Sequence, residues 1–204
     1  MTRLLAITSS PKAEGSVSNA LVQDFVDNWT SADLKTDVTR RDVGLTPPPH
    51  LDGATIGSIY TPPDQRDDSA QHLIALSDTL VEELEAADVI VIGAPMHNFG
   101  LPSGLKTWID HIARVGRTFA YTETGPKGML SDKKVFVLGA RGGNYSPESP
   151  AHGMDFVTPY LRAVLGFIGI DDVTFINAEG VASGGDGIAV AHEAVKAAAS
   201  GLAA

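Results

Sequence analysis

Short unbroken apolar runs alternate along this chain with longer stretches whose apolar positions recur every three or four residues. The runs are Leu4-Leu5-Ala6-Ile7, Val89-Ile90-Val91-Ile92 and Val135-Phe136-Val137-Leu138. Each suits a parallel strand covered on both faces. Leu34, Thr36 and Val38 alternate with Lys35, Asp37 and Thr39, and Asp172–Asn177 alternates similarly. Period-two patterning predicts two more strands, less buried and nearer the sheet edges. Helical spacing links Leu21, Val22, Phe25, Val26 and Trp29. It also links Leu73, Leu76, Leu80 and Leu84 within 71–87, with Glu82, Glu83 and Glu85 largely off that face. Leu105, Trp108, Ile109 and Ile112 predict a helix capped by Ser103. A further helix is predicted over 155–168 through Val157, Leu161, Val164 and Ile168, and an alanine-rich one runs to Ala199.

Regular alternation of strand and helix implies an α/β domain, a parallel sheet with helices on both faces. Right-handed crossovers leave few topologies. With the second and fifth strands as edges, the expected order is 2-1-3-4-5. No repeat or linker interrupts 1–204, which reads as one domain. Two long connections stand outside the alternation. Leu45–Ser69 carries Pro47–Pro49 and Pro62–Pro63, and Arg114–Gly128 is polar and aromatic. Loops of this length serve as lids, partner surfaces or solvated excursions. Phe156, Tyr160 and Phe167 spread the apolar surface of the 155–168 helix beyond a normal stripe, which predicts a subunit contact.

Composition removes several classes. A formal charge of −10 without a basic stripe argues against nucleic-acid binding. Zero cysteines exclude disulfides, cysteine nucleophiles and zinc–thiolate sites. Leu4–Ile7 is too short for a secretory leader, and no apolar stretch approaches the roughly 18 residues of a spanning helix. The expectation is a cytoplasmic protein without a membrane partner. The six histidines show no ligand spacing, so no metal is expected.

Unusual residues gather where strands one, three and four end. The first strand leads into Thr8-Ser9-Ser10-Pro11, then Ser16, Ser18 and Asn19 before a helix. Hydroxyls and free N–H groups at a helix N-terminus can cradle a phosphate monoester, although on this stretch alone Ser16 or Ser18 reads more readily as a plain cap. The third strand leads into Met96-His97-Asn98-Phe99-Gly100 and the fourth into Ala140-Arg141-Gly142-Gly143. In the order 2-1-3-4-5 these loops are neighbours at the topological switch, where open α/β sheets bind ligands. A phosphate cradle, a flat apolar wall with an amide and exposed backbone N–H groups suit a planar heterocycle bearing one phosphate, namely FMN. No G-x-x-x-x-G-K-[ST], no G-x-G-x-x-G after the first strand and no G-x-S-x-G occurs, which argues against P-loop, Rossmann dinucleotide and α/β-hydrolase chemistry.

The chain resembles the FMN-dependent NADH:quinone oxidoreductase and azoreductase family, flavodoxin-like homodimers with a three-layer α/β fold. The likeness runs nearly end to end. It includes Ser9-Ser10, Ser16-Val17-Ser18-Asn19, Asp88–Lys106, Thr118–Pro126, Arg141-Gly142-Gly143, Thr158-Pro159-Tyr160-Leu161, Gly166-Phe167-Ile168-Gly169 and Ala178-Glu179-Gly180. The resemblance implies FMN phosphate at Ser10, Ser16, Val17 and Ser18. It implies isoalloxazine contacts from Met96, His97, Asn98 and Phe99, with Ala140, Arg141, Gly142 and Gly143 on the pyrimidine side. The family often carries Tyr in place of His97 and Ser in place of Ala140. It further implies that NADH or NADPH and then a quinone or azo compound use one site in turn, a ping-pong scheme in which no side chain is obliged to act as acid or base. Phe99 and Tyr121 are the expected aromatic wall of the substrate pocket. Phe167 either joins them from a partner subunit or packs in the core. The rival reading is a flavodoxin-type electron carrier. The first loop lacks the T-x-T-G-x-T pattern of such carriers, and the connections at 45–69 and 114–128 resemble pocket walls.

Overall fold

β1 (Arg3–Thr8), β2 (Asp37–Asp42), β3 (Val89–Pro95), β6 (Lys134–Ala140) and β7 (Asp172–Ala178) form a five-stranded parallel sheet in a computed structural model that describes residues 1–200. The spatial order is β2-β1-β3-β6-β7. β4 (Phe119–Thr122) and β5 (Gly125–Gly128) form a separate antiparallel hairpin inside the 114–128 connection, so the last two sheet strands take higher numbers than in the expected order. Every residue of β3 is buried, as expected of a strand covered on both faces. β2 and β7, at the edges, are only partly covered.

Two helical layers cover the sheet. α1 (Val17–Ala32) and α6 (Gly187–Ser200) pack on one face around Leu4, Phe25, Trp29, Val91, Phe136 and Val195. α3 (Asp68–Ala86), α4 (Ser103–Ile112) and α5 (Val157–Phe167) pack on the other around Ile7, Leu80, Ile90, Trp108, Val137 and Leu161. Phe25 is fully buried and packs against Phe136 with the rings tilted, their centroids 4.8 Å apart. Truncating such a side chain costs about 3–5 kcal/mol.

Several expectations need correction. β2 begins at Asp37 rather than Leu34, because Asp33 closes α1 and the Thr36 N–H turns back to its carbonyl. Leu34 is therefore exposed. The buried face of α3 runs through Ile74, Ser77, Leu80, Val81 and Leu84, leaving Leu73 and Leu76 outside. Polar Ser77 is tolerated there because its hydroxyl donates to the His111 carbonyl and contacts the Arg114 guanidinium. Pro102, not Ser103, occupies the N-cap position of α4, without a side-chain bond, and α5 is shorter than 155–168. The 45–69 segment is not structureless. It contains α2 (Gly53–Tyr60), whose first turn is capped by Asp52 and whose last carbonyls accept from Arg66. His111 Nε2 also meets the Pro49 carbonyl at 2.9 Å and ties this segment to α4.

Candidate functional site

The chain leaves β1 through Ser9, whose hydroxyl donates to the Gly93 carbonyl at 2.5 Å. That bond ties the first loop to β3. Ser10 is buried, and its hydroxyl accepts from the Lys12 N–H. Ser16 is the N-cap of α1, accepting from the Asn19 N–H at 3.3 Å, and its hydroxyl lies 3.3 Å from that of Ser18. Capping does not use up the first turn. Among the described residues the Val17 and Ser18 amides have no acceptor, so two donors and three hydroxyls remain grouped at a helix N-terminus. The positive end of the helix dipole favours an anion there.

Beyond β3 the chain makes a tight turn. His97 N–H donates to the Gly100 carbonyl at 2.9 Å, and Gly100 N–H returns to His97 at 3.0 Å. Asn98 and Phe99 have φ of 48° and 69°, the left-handed pair that a type I′ turn requires. Such conformations cost roughly 1–2 kcal/mol for ordinary residues and cluster at functional sites. The Met96 N–H donates to the Ala140 carbonyl at 2.9 Å, and the Phe156 N–H to the Phe99 carbonyl at 3.1 Å. The Phe99 ring meets Tyr145 edge-on, its centroid 6.4 Å away.

Past β6, the carbonyls of Arg141, Gly142 and Gly143 accept from Val181, Ala182 and Gly180. The Gly142 and Gly143 amides find no acceptor among the described residues. Carbonyls turned one way leave these N–H groups available to a ligand. The Arg141 side chain, by contrast, is 1% exposed and committed to the protein. Its Nη2 bonds Asp155 at 3.0 Å and Thr158 at 2.8 Å, and its Nε lies 3.6 Å from Glu179. Burial pushes the Asp155 carboxyl up, but the Thr158 hydroxyl and N–H together with Arg141 more than offset this and hold it below the usual aspartate range.

A cavity of about 360 Å³ opens between the 10–18 loop, Pro95–His97 and Ala140. Ser10, Ser16, Val17, Ser18, Met96, His97 and Ala140 line it together, while Asn98, Phe99, Gly142 and Gly143 follow in the same loops. Sequence reasoning missed Lys12, the lysine at this cavity, although a cation two residues after Ser10 was a usable signal. A larger cavity of about 520 Å³ lies beside Lys134 and Asp172, where β6 and β7 begin. It sits at the amino ends of the strands, the wrong end for a ligand in this architecture.

Tyr121 and Phe167 are not brought to the Phe99 turn. Both rings pack against Phe119, at 5.5 and 4.5 Å between centroids. That cluster stands near Gly128 and Gly169, at the far end of α5 from Asp155. Ten residues of helix separate Phe167 from the start of α5, on the order of 15 Å.

A family model described as a flavodoxin-like fold matches residues 2–202. The chain is similar to the FMN-dependent NADH:quinone oxidoreductase of Herminiimonas arsenicoxydans, 51% identical over 188 residues that cover 92% of each protein. It is similar to FMN-dependent NADH:quinone oxidoreductase 3 of Pseudomonas aeruginosa, 45% identical over 96% of this chain and 92% of that one. Among solved structures, an FMN-dependent NADH-azoreductase from Bacillus anthracis in complex with FMN superimposes with a TM-score of 0.91, at 26% identity and 100% coverage of both chains.

Proposed function

The chain belongs to the family of FMN-dependent NADH:quinone oxidoreductases with a flavodoxin-like fold, and on that premise we propose that it oxidises NADH and reduces quinones and aromatic azo compounds through bound FMN. The observation that carries this reading is the grouping of unpaired donors around one cavity. Val17 and Ser18 amides, three serine hydroxyls and Lys12 suit a phosphate monoester. The Gly142 and Gly143 amides suit the polar edge of a planar ring. FMN fits this donor set. Bound there, it supplies a centre that accepts hydride from NADH and returns two electrons to the acceptor.

The residues of the chain bind and orient. Ser10, Ser16, Val17 and Ser18 hold the phosphate, with Lys12 adding charge. Met96, His97, Asn98 and Phe99 bound the ring, and Ala140, Gly142 and Gly143 close its other edge. Arg141 contributes its backbone, since its side chain is engaged elsewhere. Preorganised amides favour the form of the ring that carries more negative charge. No side chain has to move a proton.

A single domain over 1–204 carries this site. Two copies pair through the segment entering α5 and the outer side of that helix, where Phe156 is 59% exposed and Met154 and Phe167 are also uncovered. Pairing is the route by which Tyr121 and Phe167 reach a site, that of the neighbouring copy. None of the described helices is long and apolar enough to cross a membrane, and a cytoplasmic location agrees with that. The similarity to named oxidoreductases favours an enzyme over an electron carrier. Steady-state kinetics with NADH and a benzoquinone test the scheme: one site used in turn gives parallel double-reciprocal lines, and intersecting lines would require both substrates bound together.

A further inference from the structure

Arg141, Asp155 and Glu179 form a charged array that lies beside the cavity without lining it. Each carboxylate has a second task. Asp155 Oδ1 accepts from the Val157 and Thr158 N–H groups and so caps α5. The next residue, Phe156, donates its N–H to the Phe99 carbonyl. Glu179 Oε2 accepts from the Tyr145 N–H at 2.7 Å, while Oε1 faces Arg141. One guanidinium therefore connects the Phe99 turn, the 141–145 loop and the segment entering α6.

Gly139 makes room for it. A Cβ at that position would fall 2.3 Å from Arg141 Nη1 and 2.3 Å from Asn177 Oδ1. Arg141 Nη1 and Nε lack hydrogen-bond partners despite being buried. A buried charge held by one close ion pair and one longer one is costly to keep. Such an arrangement suits a positional role better than a purely stabilising one.

We propose that the Asp155–Arg141–Glu179 array is a positioning clamp that sets the reduction potential of bound FMN by fixing the Gly142 and Gly143 amides. This rests on the functional reading above. Fixed donors aimed at developing charge stabilise the reduced, more negative ring more than the oxidised one. Loosening the clamp therefore weakens binding of reduced FMN preferentially, and the potential falls.

The test measures FMN dissociation constants and midpoint potentials for wild-type protein, Glu179→Gln, Asp155→Asn and Gly139→Ala. Gly139→Ala displaces the guanidinium without altering a charge, and circular dichroism confirms that each variant is folded. In Gly139→Ala, where no charge changes, the expected result is roughly a tenfold greater loss of affinity for reduced than for oxidised FMN, equivalent to a potential lower by about 30 mV for two electrons. In Glu179→Gln and Asp155→Asn the potential should fall by less, because each also removes a negative charge beside the site. Arg141→Lys, which keeps a cation beside Asp155, should recover part of the shift seen in Arg141→Met. Folded variants that all bind FMN at the wild-type potential would overturn the clamp alone. Wild-type protein that binds no FMN would overturn the functional reading and the clamp with it.

Discussion

Gly44 lies so close to Ser10 that a Cβ there would stand 2.1 Å from the Ser10 carbonyl oxygen. The contact is with backbone, so nothing flexible can yield. The phosphate-side loop is thus held from behind by the chain leaving β2. Gly44→Ala should push Ser10 outward, lower stability by about 1–3 kcal/mol, and weaken FMN binding roughly tenfold. Gly57→Ala is the control, since α2 has open space at that position. It should gain about 0.5–1 kcal/mol and leave FMN affinity alone. Denaturant melts and flavin fluorescence titrations check both.

Asn98 and Phe99 share the left-handed turn, and the two contributions of Asn98 can be separated. Asn98→Gly keeps the backbone and removes the amide; Asn98→Ala also strains the turn. Both should weaken FMN about 3- to 10-fold, the value of one hydrogen bond. Only Asn98→Ala should lose about 1–2 kcal/mol of stability besides. Unchanged FMN affinity in both variants would mean that the turn contributes shape rather than an amide.

Asp155 makes part of the stability depend on pH. Its folded-state carboxyl titrates below the unfolded value of about 3.9. Its stabilisation is therefore fully present above the unfolded value and lost as pH falls through the folded one. Removing a partner from a buried pair costs on the order of 3 kcal/mol. The stability gap between wild type and Asp155→Asn should be widest near neutrality and begin to narrow as pH falls below about 4. Urea melts across pH 7 to 3 measure it, and a gap independent of pH would contradict the assignment.

Phe167 separates cofactor binding from substrate turnover. Phe167→Glu places a charge on the outer side of α5, far from the cavity of its own chain. Sedimentation should shift from dimer toward monomer, and quinone turnover should fall at least tenfold while FMN affinity stays within about twofold. Full activity in a sedimenting monomer would remove the interface argument.

The central strands are legible in the sequence because burial on both faces demands continuous apolar runs, as in Val89–Ile92. Even so, the run understates the strand. Gly93, Ala94 and Pro95 extend β3 beyond the apolar run, and α1 packs close there: a Cβ on Gly93 would stand 3.0 Å from Val22 Cγ2. The β4–β5 hairpin was hidden because Tyr121 and Thr122 are exposed and lack an alternating apolar face. The buried face of α3 is not legible in the hydropathy pattern, because Ser77 is held there by hydrogen bonds that such a pattern does not register. The loops of the site were visible as clusters of Ser, Gly and Asn. The inward turn of Arg141 was not, because its partner Asp155 lies fourteen residues away on another element. A sequence displays the charge but not what it pairs with.

The most direct test is anaerobic. FMN-loaded protein is mixed with NADH, the flavin absorbance is followed, and a quinone is then injected. The account predicts that NADH bleaches the flavin and that one equivalent of quinone restores it in a single two-electron step. Flavin that stays bound but is not bleached by NADH would contradict the account and favour an electron carrier.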